Sequence, residues 1–192
     1  MPEEVRRGNF YLNEVKLLIF LRYLATGSFM EVCADLCFTA KSTAWKAIHF
    51  CIRHLSLKVN DFVKFPDTSA FDYISTKFKS KQNFPNIVGC VDGTHIKVEV
   101  PNVLERETFR NRKGFMSLNC QMICGPDLEI FDIDAGSPGS AHDSRIFRES
   151  AVYEKCQALP PQYHLLGDSA YSLEMFMMTP FRNPTERPKS DH

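Results

Sequence analysis

The sequence is short of net charge, of long apolar runs, of repeats and of paired cysteine motifs, and each shortage removes a class of function. Its 192 residues carry 23 Lys and Arg against 23 Asp and Glu, so no overall charge draws it to nucleic acid or to an anionic membrane. Any basic surface has to be local. The most apolar stretches, such as "KLLIFLRYLATG", are broken by charge well short of the ~20 residues that span a bilayer, so no membrane partner is expected. There is no internal repeat and no low-complexity segment. The cysteines Cys33, Cys37, Cys51, Cys90, Cys120, Cys124 and Cys156 lie in apolar segments. Two of the gaps, Cys33 to Cys37 and Cys120 to Cys124, lack the two-residue spacing and matching second pair of a zinc site. With no secretory leader at the start, the thiols read as reduced and mostly buried, in the cytosol or nucleus.

A chain of this length buries a real core and has room for a small module beside a medium one. Three spans are read: a helical module over 1–60, a connector over 61–85 and a strand-bearing domain over 86–192. The first holds eight Lys and Arg (Arg6, Arg7, Lys16, Arg22, Lys41, Lys46, Arg53, Lys58) against five acids (Glu3, Glu4, Glu14, Glu31, Asp35). In "NEVKLLIFLRYLATGS", Val15, Leu18, Leu21, Leu24 and Ala25 share a helical stripe, and Gly27 ends it. Ser28 and Glu31 have capping-box spacing for the next helix. A third helix over about 41–57 is expected to bury Trp45, Ile48, Ile52 and Leu55 and to turn Ser42, Lys46, His49 and Arg53 outward. Such a trio fits a helix-turn-helix whose third helix lies in a DNA major groove; a small bundle with no nucleic acid in view fits equally well. In the connector, Phe71, Ile74 and Phe78 mark a short helix between Pro66 and Pro85. Lys77, Lys79 and Lys81 beside it form a solvated face or a set of phosphate contacts.

From residue 86 the periodicity turns to strands. In "NIVGCVDGTHIKVEV", Ile96, Val98 and Val100 alternate with His95, Lys97 and Glu99, giving a buried and a polar face, yet "DGTH" stands in the middle. Either the tetrad is a turn between two strands, or Asp92 sits on a strand because a ligand needs a rigidly held acid. "FMSLNCQMIC" and "LEIFDIDAG" are the next strands, joined by a turn at 125–127, and the three should form an antiparallel meander. The loop "GSPGS" leads to a helix in "AHDSRIFRES" with Asp143 near its start, and "YHLLGDSAY" supplies a strand ending at Asp168. Strand, strand, strand, helix, strand is the opening of an RNase H-like fold, whose sites use an acid on the first strand and another at the end of the fourth.

Asp92, Asp143 and Asp168 can therefore converge, although 51 and 25 residues separate them. Gathered carboxylates repel, and a divalent cation relieves them; Mg²⁺ prefers oxygen ligands and keeps part of its water shell. Two such ions ~4 Å apart clamp the attacking and leaving oxygens of a phosphoryl displacement. Each acid also has a plain structural reading: Asp92 as a turn residue before Gly93, Asp143 as a helix cap, Asp168 as a cap of the next segment. Asp132 and Asp134 alternate on one strand and read as a solvated face. His95 and His142 neighbour an acid and could contact phosphate or position water, or could be partly buried, hydrogen-bonded histidines.

Taken together, "GCVDGTHI", "NRKGFMSLNCQMIC", "DAGSPGSAHDSRIF", "LLGDSAY" and "TPFRNP" resemble the DDE endonuclease domain of PIF/Harbinger transposases and the nucleases derived from them. "FLRYLATGSFMEVCADLCFTAKSTAWKAIHF" is similar to that family's N-terminal helix-turn-helix. The resemblance implies an α/β chain, in which a three-helix helix-turn-helix module precedes an RNase H-like mixed-sheet catalytic domain. It implies Asp92, Asp143 and Asp168 as ligands of Mg²⁺ or Mn²⁺, with Asp92 and Asp168 catalytic and Asp143 accessory. DNA would be the substrate, a Myb-like protein a partner, and the nucleus the location, with the cytoplasm as the alternative. The family's closing glutamate lies on a helix beyond "TPFRNP", a context that neither Glu174 nor Glu186 shares. The domain is accordingly expected to be incomplete, without its last strand and helix, and impaired in cutting. The competing reading is a non-catalytic DNA-binding or partner-binding remnant, carried by residues 10–57.

Overall fold

A computed structural model describes residues 13–181. These fall into two compact units that divide between Phe62 and Val63. Glu3, Glu4, Arg6, Arg7 and Glu186, the tail of "TPFRNP" from Arg182 and any later helix lie outside the described residues.

The first unit contains α1 (Asn13–Thr26), α2 (Met30–Asp35), α3 (Lys41–Ser56) and the single turn α4 (Val59–Phe62). Gly27 closes α1 as expected: at φ +59° its N–H reaches back to the Tyr23 carbonyl, a backbone state that glycine adopts without a Cβ penalty. The buried faces, however, are turned from those expected. The core is Ile19, Phe20, Cys33, Ala34, Ala44, Ala47, Ile48 and Cys51, with Val15, Tyr23, Met30 and Cys37 packed against it. Leu18, Leu21, Leu24, Trp45, Ile52 and Leu55 are all exposed. Ile48 is buried as expected, but a 3.6-residue period fixes the spacing of an apolar stripe and not its phase, and Ala44, Ala47 and Cys51 satisfy the same spacing one residue away from Trp45, Ile48 and Ile52. Their small side chains let α3 approach its neighbours closely and turn the bulky residues outward. The capping box is absent too. Phe29 is the N-cap of α2 and offers no side-chain bond, while Glu31 pairs instead with Lys41 at the start of α3.

The second unit opens with a 3₁₀ turn (Thr68–Ala70) and α5 (Phe71–Gln82). The stretch read as a connector belongs to this unit: Phe71 and Ile74 are buried in one cluster with Val88, Val91, Ile123 and Leu165. Nor is its lysine group a free face, because Lys77 and Lys81 both pair with Asp127. Then come β1 (Ile87–Lys97), the turn α6 (Arg106–Phe109), β2 (Ser117–Cys124), β3 (Ile130–Pro138), α7 (Asp143–Glu149), α8 (Tyr153–Gln157), β4 (His164–Leu166) and β5 (Met177–Met178). The strands form one mixed sheet in the order β3-β2-β1-β4-β5. The first three are the expected antiparallel meander; β4 joins β1 in parallel after the helical crossover, and β5 joins β4 in parallel. A five-stranded mixed sheet of this order, with helices between the third and fourth strands, fits an RNase H-like domain. The last strand, expected to be missing, is present as β5, a two-residue pairing too short to leave a periodic signature.

The tetrad "DGTH" does not break the strand. Asp92 to His95 run through the middle of β1, facing Met122 to Asn119 of β2 in register. Ile87, Val88, Gly89 and Val91 are buried, but Ile96 is 49% exposed. The reason lies in strand length: β4 is three residues long and flanks only Ile87 to Cys90, so the far half of β1 has a partner on one side alone. All the described cysteines are free thiols.

Candidate active site

The parallel pairing of β1 with β4 sets the site. Cys90 faces Leu166, and Asp92 and Asp168 each stand two residues further along their own chains, so neighbouring strands deliver two carboxylates to one end of the sheet. Asp143 comes from above. It occupies the first turn of α7, whose Ile146 and Phe147 are buried, and its Oδ1 accepts a 2.7 Å bond from Asn119 Nδ2 on β2.

Gly93 makes that approach possible. A Cβ there would lie 2.6 Å from Asp143 Oδ1, closer than real side chains tolerate, and a tight 3.2 Å from Asn119 Oδ1, so the glycine of "DGTH" is a space requirement for Asp143 where it stands. Tyr171 sits among the three acids. It is 3% exposed, its hydroxyl donates to Gln121 Oε1 at 3.4 Å, and its pKa is raised by burial and then by the fields of Asp143, Asp92 and Asp168. All three carboxylates thus act on one phenol, which remains the neutral donor form.

Each acid has one oxygen held. Asp92 Oδ1 accepts from the Gly93 N–H (2.8 Å), Asp143 Oδ1 from Asn119, and Asp168 Oδ1 from the Ala170 N–H (2.9 Å). Asp168 therefore does cap the turn after β4, as its plain reading held, but that uses one oxygen only. Among the described residues no Oδ2 of the three has a hydrogen-bond partner, and none of the three pairs with a Lys or Arg. Two guanidinium groups bond to side chains other than carboxylates: Arg112 Nη2 to His142 Nδ1 (2.5 Å) and Arg148 Nη2 to Ser172 Oγ (2.7 Å).

The floor beneath is polar and buried. Ser117, Asn119 and Gln121 alternate along β2 at 1% exposure or less, Ser117 Oγ bonding Asn111 and His95 Nδ1. Asn119 Oδ1 and Gln121 Nε2 are left without partners among the described residues, an arrangement that a buried network sustains only where a polar species completes it. Asp132, read as part of a solvated face, is drawn partly under cover: burial pushes its carboxyl up, against the pull of Lys155.

These donors suit a hard divalent cation, since uncompensated carboxylate oxygens are the ligand type Mg²⁺ prefers. The free Oδ2 atoms and the orphaned Asn119 Oδ1 fit such a group, whereas the orphaned Gln121 Nε2 is a donor and suits an oxygen beside it. Even so, among the described residues no three His, Cys, Asp or Glu side chains close into a metal-holding set, so the acids form an open platform. Of the residues that complete it, Tyr171, Gln121, Asn119 and Gly93 escaped the sequence reading. A signal existed in "SLNCQ": polar residues at every second place of an otherwise apolar strand.

A family model described as DDE superfamily endonuclease matches residues 91–192. The candidate nuclease HARBI1 of Homo sapiens is 27% identical over 186 residues, which cover 96% of this chain and 53% of that protein. Its counterpart in Rattus norvegicus shows the same identity and coverage. Protein ALP1-like of Arabidopsis thaliana is 25% identical over 193 residues, 92% of this chain and 47% of that one. The chain thus spans about half the length of the curated relatives it matches, and no solved structure matches it. With the acids, the sheet order and these likenesses in agreement, the chain belongs to the DDE superfamily of endonucleases, in its PIF/Harbinger transposase-derived branch.

Proposed function

We propose that the second unit hydrolyses DNA phosphodiester bonds with Asp92 and Asp168 as catalytic metal ligands and Asp143 as an accessory one. The observation that carries this is the set of three carboxylates around Tyr171 with an unengaged oxygen on each and no cationic partner among the described residues. Uncompensated acids of this kind repel and cost stability, and a bound cation is what recovers it.

Bound Mg²⁺ or Mn²⁺ would supply Lewis-acid stabilisation of the phosphoryl oxygens and an activated water. The chain's own residues hold and orient. Asn119 fixes the rotamer of Asp143, the Gly93 N–H fixes that of Asp92, and the Ala170 N–H that of Asp168. Tyr171, kept protonated by burial and by the acids, donates into the floor and offers no base. Arg112 and Arg148, which form no ion pair among the described residues, would meet phosphate without first breaking one.

The first unit supports DNA recognition by a helix-turn-helix. Ser42, Lys46, His49 and Arg53 are exposed on α3, and the His49 ring packs at a tilt against Trp45, 4.2 Å between ring centroids. On this reading the protein works in the nucleus, beside a Myb-like partner, as the family resemblance implies. The test is cleavage of supercoiled DNA in Mg²⁺ by the protein carrying this chain. Cutting should stop with EDTA and with Asp92→Asn; an Asp92→Asn variant that cuts at the parent rate would remove the proposal.

A further inference from the structure

Next to Asp168 the second unit has an open groove of about 940 Å³. Gly167 and Ser169, the two neighbours of Asp168 in sequence, both line it, as does Tyr171, so the groove borders the candidate active site. Its walls include Phe84, Tyr171, Leu173, Met178 and Phe181, of which Phe84, Leu173 and Phe181 are 44%, 71% and 75% exposed. Hydroxyl-bearing Ser172 lies at the rim, where it receives the bond from Arg148 Nη2.

A wall of aromatic and aliphatic faces with hydroxyls at the edge suits a flat heterocycle, and a guanidinium at the rim suits the phosphate attached to it. We infer that the groove takes an unstacked nucleobase from the strand whose phosphate lies at the acids, with Arg148 on the adjoining phosphate. This deepens the nuclease reading and rests on it.

Anisotropy titrations with the whole protein test it, using a labelled thymidine oligonucleotide and an abasic one of equal length and charge. The wild type should bind the base-bearing strand about tenfold more tightly, the scale of stacking one base on an aromatic face. Phe181→Ala and Phe84→Ala, both at exposed positions, should bind the two strands alike. Equal binding by the wild type overturns the proposal, as does a preference that survives in both variants. It also falls if sedimentation shows a dimer that Phe181→Ala dissolves, because the groove would then hold a second copy. In each of these cases Asp92-dependent cleavage in Mg²⁺ persists; loss of that cleavage itself marks failure of the nuclease reading.

Discussion

Replacing Gly93 by alanine sets two physical effects against each other. Glycine inside a strand is costly, and alanine would restore about 0.5–1 kcal/mol through the unfolded chain. Against that, the new methyl would stand 2.6 Å from Asp143 Oδ1, and the carboxylate would have to leave Asn119. A hydrogen bond to a charged group is worth about 1.5–3 kcal/mol, and the amide left behind is buried. The loss wins, by roughly 1–2 kcal/mol, which in a protein of this size lowers Tm by about 2–8 °C. Activity should suffer more than stability, since displacing an acid by ~1 Å costs up to about 100-fold in rate. A double-mutant cycle with Asp143→Ser isolates the cause: with that carboxylate gone, Gly93→Ala should become neutral or stabilising. A Gly93→Ala protein that cleaves DNA normally and melts no lower than its parent would refute the account.

Other outcomes are expected. Ile48→Ala should cost about 2–4 kcal/mol in denaturant unfolding, whereas Ile52→Ala, one turn on and 45% exposed, should cost less than ~1; equal costs would mean that the face of α3 is misassigned. Cys156 is buried, and burial lifts its thiol from 9.0 to about 12. The native state then keeps a proton that the unfolded state releases, so its share of stability is whole below about pH 9 and lost as pH rises towards 12. Denaturation midpoints should fall across that window, and less steeply in Cys156→Ala; an unchanged slope would deny the thiol this role. Tyr171→Phe should leave the sheet intact but, by removing the hydroxyl bonded to Gln121 Oε1, lower stability in denaturant unfolding by about 0.5–1.5 kcal/mol, and an unchanged midpoint would deny the bond this role.

Much of the second unit was legible because its signals are local. Turn residues marked off β2 and β3, and the order of elements gave the sheet that brings Asp92 and Asp168 to one end, but of the expected loop at 136–140 only Gly139 and Ser140 lie outside a strand, since β3 runs on through Pro138. What was hidden depends on partners. The exposure of Ile96 follows from the shortness of β4, and β5 exists only because β4 is there to pair with it. In the first unit, helical period was clear while phase was not, since alanine and cysteine, carrying little hydrophobic weight in sequence, decide which face closes. The role of Gly93 was ambiguous for the same reason: a turn and a close approach both call for glycine, and only the position of Asp143 separates them.

The crossover between β3 and β4 has a consequence for how the protein is made. Asp92 emerges from the ribosome early and finds its β2 partner at once, but Asp168 becomes its lateral neighbour only after both intervening helices and β4 have been synthesised. A nascent chain therefore holds a finished hairpin before Asp92 and Asp168 can stand side by side.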